Sequence, residues 1–283
     1  MLQHIEFIDR DHFEEFYFRK KAAASLSLFI DFFWETRFES LWEQHPDGFS
    51  DVLFPNTGYT YLINLGTPFV MQVAEKKFPM KSDGFLPRHQ AIECFHSRGN
   101  KIFGIKFKTS PIIFEKKINF SEYRESIFPL SYLVDPAVLQ KVKLAGSFSE
   151  RISLLSGYFN KLIEQYEGSL TPVHIVTRII SDCDKHNHFN QSVEVLAAQY
   201  HISPRTLQRY FEMVTGISTK NVLQIMRIRK AVEKLVAHPA SFDYKDFGYY
   251  DQSHFQKHLK QFLKKNSLQK LQPHRLLLDK ACT

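Results

Sequence analysis

The segment Ser203-Pro204-Arg205-Thr206-Leu207-Gln208-Arg209-Tyr210-Phe211 has an echo 48 residues later, Asp251-Gln252-Ser253-His254-Phe255-Gln256-Lys257-His258-Leu259. Each copy opens on a residue suited to capping a helix N-terminus, Ser203 or Asp251. Four positions on stands an apolar residue (Leu207, Phe255), then a glutamine (Gln208, Gln256), then a cation (Arg209, Lys257), and two further on a second apolar residue (Phe211, Leu259). Apolar residues four apart pin one face of a helix to a core, and the glutamine and the cation fall off that face. A short helix offering an amide and a cation outward has the chemistry that reads base edges in a DNA major groove. A guanidinium can bond guanine through two hydrogen bonds, and a primary amide can do the same with adenine.

Charge is distributed to match. Residues 1–170 carry 20 Lys+Arg against 21 Asp+Glu, a net of −1, whereas residues 171–283 carry 17 against 9, a net of +8. A localised basic surface suits phosphate, because cations there displace counterions condensed on DNA. Charge alone is equally compatible with a solvated basic surface. Cys94, Cys183 and Cys282 are widely separated and odd in number, so neither a disulfide framework nor a Cys-x-x-Cys metal pair can be drawn. Residues Met1 to Phe16 alternate charges with aromatics and hold no apolar signal core. No apolar run approaches the ~20 residues that span a bilayer, and the expectation is a cytoplasmic protein without membrane contact.

The elements that must position the echoed helices follow from periodicity. At 283 residues the chain is long enough for two domains with cores of their own. The first ~145 residues read mainly as strands. Tyr59, Tyr61, Ile63 and Leu65 alternate with Thr60, Leu62 and Asn64 before Gly66, and Phe103, Ile105 and Phe107 alternate with Gly104, Lys106 and Lys108 before Pro111. Both have the period of two of half-buried strands. Ala22 to Trp34 reads as an early helix, leading to Trp42 and the turn Pro46-Asp47-Gly48. A small barrel or sandwich is expected. From Ser149 to Glu167 the period changes to a helical stripe of Ile152, Leu155, Phe159, Leu162 and Ile163. Gly168-Ser169 then Thr171-Pro172 mark a break and a new helix start, which places the domain boundary near residue 169. Helices are expected at 172–186, 192–199, 203–213, 219–237 and 252–264. The turn Tyr200-His201-Ile202 between the second and third makes a helix-turn-helix, and Gly216 ends a helical stretch.

With these residues in place the chain resembles the AraC/XylS family of transcription regulators. Val195-Leu196-Ala197 through Ser203-Pro204 to Leu207-Gln208-Arg209-Tyr210-Phe211 and Gly216 resembles the family's first helix-turn-helix. Arg227-Ile228, Ala231 and Leu235 are similar to its long connecting helix, and Gly248-Tyr249-Tyr250-Asp251-Gln252-Ser253-His254-Phe255 to its second unit. Pro46-Asp47-Gly48, Asn64-Leu65-Gly66-Thr67-Pro68-Phe69 and Gly104-Ile105-Lys106-Phe107 carry a fainter likeness to the family's sensor domain.

The resemblance implies a cupin-like β-barrel with a following helix (residues 1–169) and an all-α domain with two helix-turn-helix units (residues 170–283). By position, Arg205, Gln208 and Arg209 would face bases in one major groove, and Gln252, Ser253, Gln256 and Lys257 the next, about one helical turn (~34 Å) away. Thr206, Lys260 and Lys264 would contact phosphate; Lys257, Lys260 and Lys264 share one helix face. The implied partners are duplex DNA, a second subunit, a small-molecule effector of unknown identity and RNA polymerase, with activator and repressor both open. There are departures from the family pattern. Ser241 to Phe247 is short for the helix that opens the second unit, Tyr244 stands where an alanine is usual, and Lys264-Lys265-Asn266-Ser267 replaces the usual Gly and Pro.

Other chemistries find less support. His89, Glu93 and His96 form the densest group of potential ligands in the front half, but cupin enzymes carry two His one residue apart, so these read as surface or structural residues. Cys183, His186 and His188 read as a helix end, with no second pair to complete a tetrahedral site. No Gly-rich phosphate loop or G-x-S-x-G elbow occurs. No cofactor and no metal are expected, and Asp251 reads as a cap, His254 as a packed core histidine, and Tyr249 and Tyr250 as packing residues with a hydroxyl that could reach phosphate. The competing readings are a cupin-like metal-dependent enzyme whose basic domain only localises it, and an architectural DNA binder indifferent to sequence.

Overall fold

The computed structural model describes residues 3–4, 17–36, 38–111 and 126–263. The chain builds a two-sheet β domain followed by a helical region. The strands are β1 (Gln3–His4), β2 (Tyr17–Lys21), β3 (Ile30–Thr36), β4 (Phe49–Leu53), β5 (Tyr59–Asn64), β6 (Phe69–Val73), β7 (Lys76–Met80), β8 (Gly84–Pro87), β9 (Ile92–His96), β10 (Ile102–Phe107) and β11 (Phe128–Pro129). One sheet has the order β1-β4-β9-β6-β7, the other β11-β8-β5-β10-β3-β2. Apart from the parallel pair β1/β4, the ladders are antiparallel.

Alternation along the strands divides the side chains between two cores, as the pleat requires. Between the sheets lie Phe49, Phe69, Met71, Ile92 and Cys94 from the first, and Trp34, Leu62, Leu86 and Ile102 from the second. The opposite face of the six-stranded sheet presents Phe33, Tyr59, Tyr61, Ile63, Phe103, Ile105 and Phe107 to the helices. That sheet is thus buried on both faces, so β5 and β10 are buried along almost their whole length, polar positions such as Thr60 and Lys106 included. Gly104 in β10 sits where the Trp34 indole crosses the strand; a Cβ there would overlap the ring.

Helices α1 (Glu39–Gln44), α2 (Pro136–Leu144) and α3 (Phe148–Glu164) belong to this half. The α3 stripe meets the sheet through Phe159, whose ring lies 5.5 Å from that of Phe107 and 6.2 Å from that of Tyr61. Buried Arg151 of α3 fixes the docking, donating to Glu35 of β3 at 3.0 Å and to the Ala145 carbonyl at 2.6 Å. Residues 24–29 form only a turn, and the early helix expected at 22–34 is instead strand β3 from Ile30. A short apolar run is ambiguous by periodicity. Here pairing decides, since β3 lies between β2 and β10 and both its backbone edges are used.

The helical region contains α4 (Thr171–His186), α5 (Val193–Gln199), α6 (Pro204–Thr215), α7 (Thr219–Ala237) and α8 (Gln252–Leu263), within one or two residues of the expected spans. Among the described residues no helix is long and apolar enough to cross a membrane. Replacing Gly104 by Ala is expected to lower stability by ~1–3 kcal/mol, the usual cost of overfilling a packed core. A thermal melt checks this, and unchanged melting would mean that Trp34 can move aside.

Candidate nucleic-acid interface

The first unit is built from local signals that each satisfy an orphan backbone group. Ser192 caps α5 by accepting from the Val195 amide at 3.3 Å. His201 turns the chain with a left-handed φ of 53°. Ser203 caps α6 by accepting from the Thr206 amide at 3.1 Å, and Pro204 stands at its first position. Gly216 ends α6 at φ 78°, and the Tyr59 hydroxyl of the β domain packs where a Cβ would project. A glycine is therefore required there twice over, by backbone conformation and by close approach.

The echo survives in three dimensions. Leu207 and Phe211 of α6, and Phe255 and Leu259 of α8, are all 0% exposed. This anchoring turns Arg205 and Arg209 of α6, and Ser253, Lys257 and Lys260 of α8, to solvent. Arg209 lies over the Tyr210 ring at 5.8 Å. Thr206 is half-buried, its hydroxyl accepting from Ser203 Oγ at 2.9 Å. Gln252 and Gln256 are half-buried. Lys264 lies outside the described residues.

Gln208 does not simply point outward. Its amide donates to Glu212 Oε1 at 3.0 Å and its Oε1 faces the Thr219 amide and hydroxyl at 3.4 and 3.3 Å. It closes the seam between α6 and α7, using a first-turn N–H that has no partner within its own helix. Periodicity places this side chain off the core face but cannot see the neighbouring helix.

The second unit opens on two 3₁₀ turns, Pro239–Ser241 and Tyr244–Phe247, in place of an α-helix, in keeping with the short segment there. Asp251 caps α8 through the His254 amide at 2.7 Å. Two expectations are corrected. His254 is exposed, its ring edge-on to Tyr249 at 5.3 Å, because the capping residue before it leaves the first turn facing water. Tyr250 is 90% exposed and stands beside the start of α8, not in the core.

Arg227, buried in α7, is the positioning residue that the pattern of apolar and charged positions does not single out. Its guanidinium donates to Asn190 Oδ1 at 2.7 Å, and Asn190 Nδ2 donates to the Gly248 carbonyl at 2.5 Å. It also lies 4.3 Å over the Tyr249 ring. The Tyr249 hydroxyl in turn bonds His258 Nδ1 of α8 at 2.8 Å. Burial, and then the charges of Arg227 and His254, push the His258 imidazole down to about 4. It is neutral at pH 7, and its Nδ1 shares this hydrogen bond with the tyrosine hydroxyl.

The helices are also tied to the β domain. Ser110 donates to the Val214 carbonyl at 2.7 Å, Arg229 Nη1 to the Pro55 carbonyl at 2.9 Å, and Phe54 stacks on Phe262 at 5.3 Å. Burial, then the charges of Arg88 and Arg229, hold the Lys106 ammonium well below its ordinary range at this seam. Of the remaining groups, Cys183 is turned into the helical core, where burial pushes its thiol up to about 11. His186 and His188 stay exposed, so these three do not assemble. His89 and Glu93 do not join His96, which is buried beside Asp51 and Cys94.

Residues 196–266 match the sequence profile of a helix-turn-helix domain family. This segment is an AraC-type helix-turn-helix domain. In sequence, no curated protein matches the chain. Among solved structures the chain is similar to ToxT from Vibrio cholerae, at 10% identity over 80% of this chain and 96% of that one, with a TM-score of 0.44. It is similar also to unsaturated fatty acid bound ToxT, at 11% identity over 76% and 88%, with a TM-score of 0.41. For the AraC-like transcriptional activator CuxR the identity is 9% over 72% and 75%, with a TM-score of 0.26. Likeness at this level carries no functional conclusion. The AraC-type domain begins within α5 and takes in both capped helices, α6 and α8.

Leu207→Ala is expected to cost ~2–5 kcal/mol of stability and Phe255→Ala ~3–5 kcal/mol, as truncation of buried side chains does. Wild-type melting for both would contradict their anchoring role. The His258 pKa is depressed on folding, so its contribution is full above about 6.5 and is lost as pH falls through about 4. Melting of the α8 unit is therefore expected to weaken between those limits, and less so in His258→Gln, which titrates no proton. A His258→Gln variant with the same acid sensitivity would rule this cause out.

Proposed function

We propose that the chain is a sequence-specific transcription regulator that binds duplex DNA by placing α6 and α8 in successive major grooves. The observation that carries this reading is the pair of capped helices, anchored by equivalent apolar residues, that turn Arg205, Arg209, Lys257 and Lys260 to solvent within an AraC-type domain. Arg205 and Arg209 serve as base readers in the first groove, with Gln208 reduced to holding α6 on α7. Gln252, Ser253, Gln256 and Lys257 face the second groove. Thr206 and Lys260 bind phosphate, and exposed Tyr250 is a further phosphate contact. Lys264 is proposed for phosphate on its sequence position alone.

With the division near residue 169, the β domain acts as the sensor or pairs subunits. Its contacts with α6, α7 and α8 through Ser110, Tyr59, Pro55 and Phe54 supply a route by which its state reaches the reading helices. A ligand acts through this route only if it binds the DNA-competent and incompetent arrangements with different affinity. No catalytic constellation enters this reading, and RNA polymerase and a second subunit are its protein partners.

Binding of the full chain to a preferred duplex tests the assignment. Arg209→Ala is expected to cost ~1–3 kcal/mol and to relax preference at one base position. Lys260→Ala is expected to weaken all duplexes alike and to make the salt dependence shallower. Equal weakening of every sequence by both substitutions would overturn the division of roles.

A further inference from the structure

We propose that Asp51, Cys94 and His96 form a binding site for a divalent metal ion of the zinc class inside the β domain. This goes beyond the DNA-binding reading and does not rest on it. Asp51 of β4 and Cys94 of β9 are directly paired across the ladder, so their side chains share one face. His96 lies two residues beyond Cys94 on the same face. The Asp51 carboxylate, Cys94 Sγ and a His96 ring nitrogen all lie within 4.8 Å of one another. The three residues are 1%, 2% and 3% exposed.

The His96 ring is oriented as a ligand is. Asn100 Nδ2 donates to the Thr67 carbonyl at 3.2 Å, so Asn100 Oδ1 is the atom that faces His96 Nδ1 at 2.7 Å. A carbonyl oxygen there requires Nδ1–H, and in the neutral ring the lone pair then sits on Nε2, directed at Asp51. Metal-ligating histidines ordinarily donate their other N–H to such an outer partner, which fixes tautomer and angle. Phe38, Phe49 and Phe69 pack on the ring at 4.8, 4.9 and 5.6 Å and hold its plane.

A bare Asp–His ion pair accounts for the group less well. His96 Nε2 lies 3.4 Å from Asp51 Oδ1, beyond the ~2.7–2.9 Å of a charge-assisted hydrogen bond. Thiolate, imidazole and carboxylate are the donor types that zinc accepts. Thiolate and carboxylate together would balance a dication in a site closed to water. A cation that acts on Cys94 is Arg88, whose guanidinium donates to the Phe54 carbonyl at 3.1 Å and to Thr60 Oγ1 at 3.4 Å.

The test is a Co(II) titration of the full chain after chelator treatment, followed by the near-ultraviolet thiolate-to-cobalt charge-transfer band and by elemental stoichiometry. One Co(II) per chain is expected, displaced by Zn(II). Cys94→Ser should lose the band and Cys183→Ser should keep it. Asn100→Ala should weaken binding ~10–100-fold by freeing the imidazole. A wild-type chain that takes up no stoichiometric Co(II), a band that survives Cys94→Ser, or a band lost in Cys183→Ser would each overturn the proposal. If Cys94→Ser does not fold, the wild-type stoichiometry and the Cys183→Ser band decide the matter.

Discussion

The six-stranded sheet is buried on both faces, and the arrangement of everything else depends on how its second face is covered. One face closes on the partner sheet through Trp34, Leu62, Leu86 and Ile102. The other carries Phe33, Tyr59, Tyr61, Phe103, Ile105 and Phe107, an aromatic surface that cannot be left to water. α2 and α3 cover part of it, and the helical region belongs to the same apolar cluster. Tyr59 packs against the glycine that ends α6. α6 is thus a neighbour of the sheet, and a change in the packing of the β domain has a short path to it.

Within the helical region, burial and polar satisfaction have separate tasks. Leu207, Phe211, Phe255 and Leu259 fix which face of each short helix is outward. Polar bonds fix where the helices sit relative to one another. Gln208 joins the middle of α6 to the start of α7, and Arg227 ties Asn190, Gly248 and Tyr249 to the long helix. The second unit lacks an α-helical first element, so this guanidinium network carries more of its positioning. A buried cation bonded on one side and stacked on the other is costly to disturb, because its loss leaves Asn190 without its donor and Tyr249 without its stacked cation.

What was legible in the sequence is what local physics determines. Ser203 as a cap and Gly216 as an end gave the bounds of α6 closely, the helices expected at 192–199 and 219–237 match α5 and α7, and the period-two runs at 59–65 and 103–108 fall on central strands. The segment 22–34 was misread because an apolar run is decided by its partners, and β2 and β10 are distant in sequence. The same blindness applied to Gln208, whose outward position on the helical wheel says nothing about Thr219 beside it. Asp51, Cys94 and His96 were invisible as a group because a cross-strand register joins residues more than forty positions apart.

The central claim is that α6 and α8 read sequence on duplex DNA. The most direct measurement is selection of bound duplexes from a random pool by the full chain at near-physiological salt. Enrichment of two short preferred blocks about one helical turn, ~10 base pairs, apart is expected. Binding that recovers the composition of the starting pool, with affinity set by salt alone, would contradict the claim.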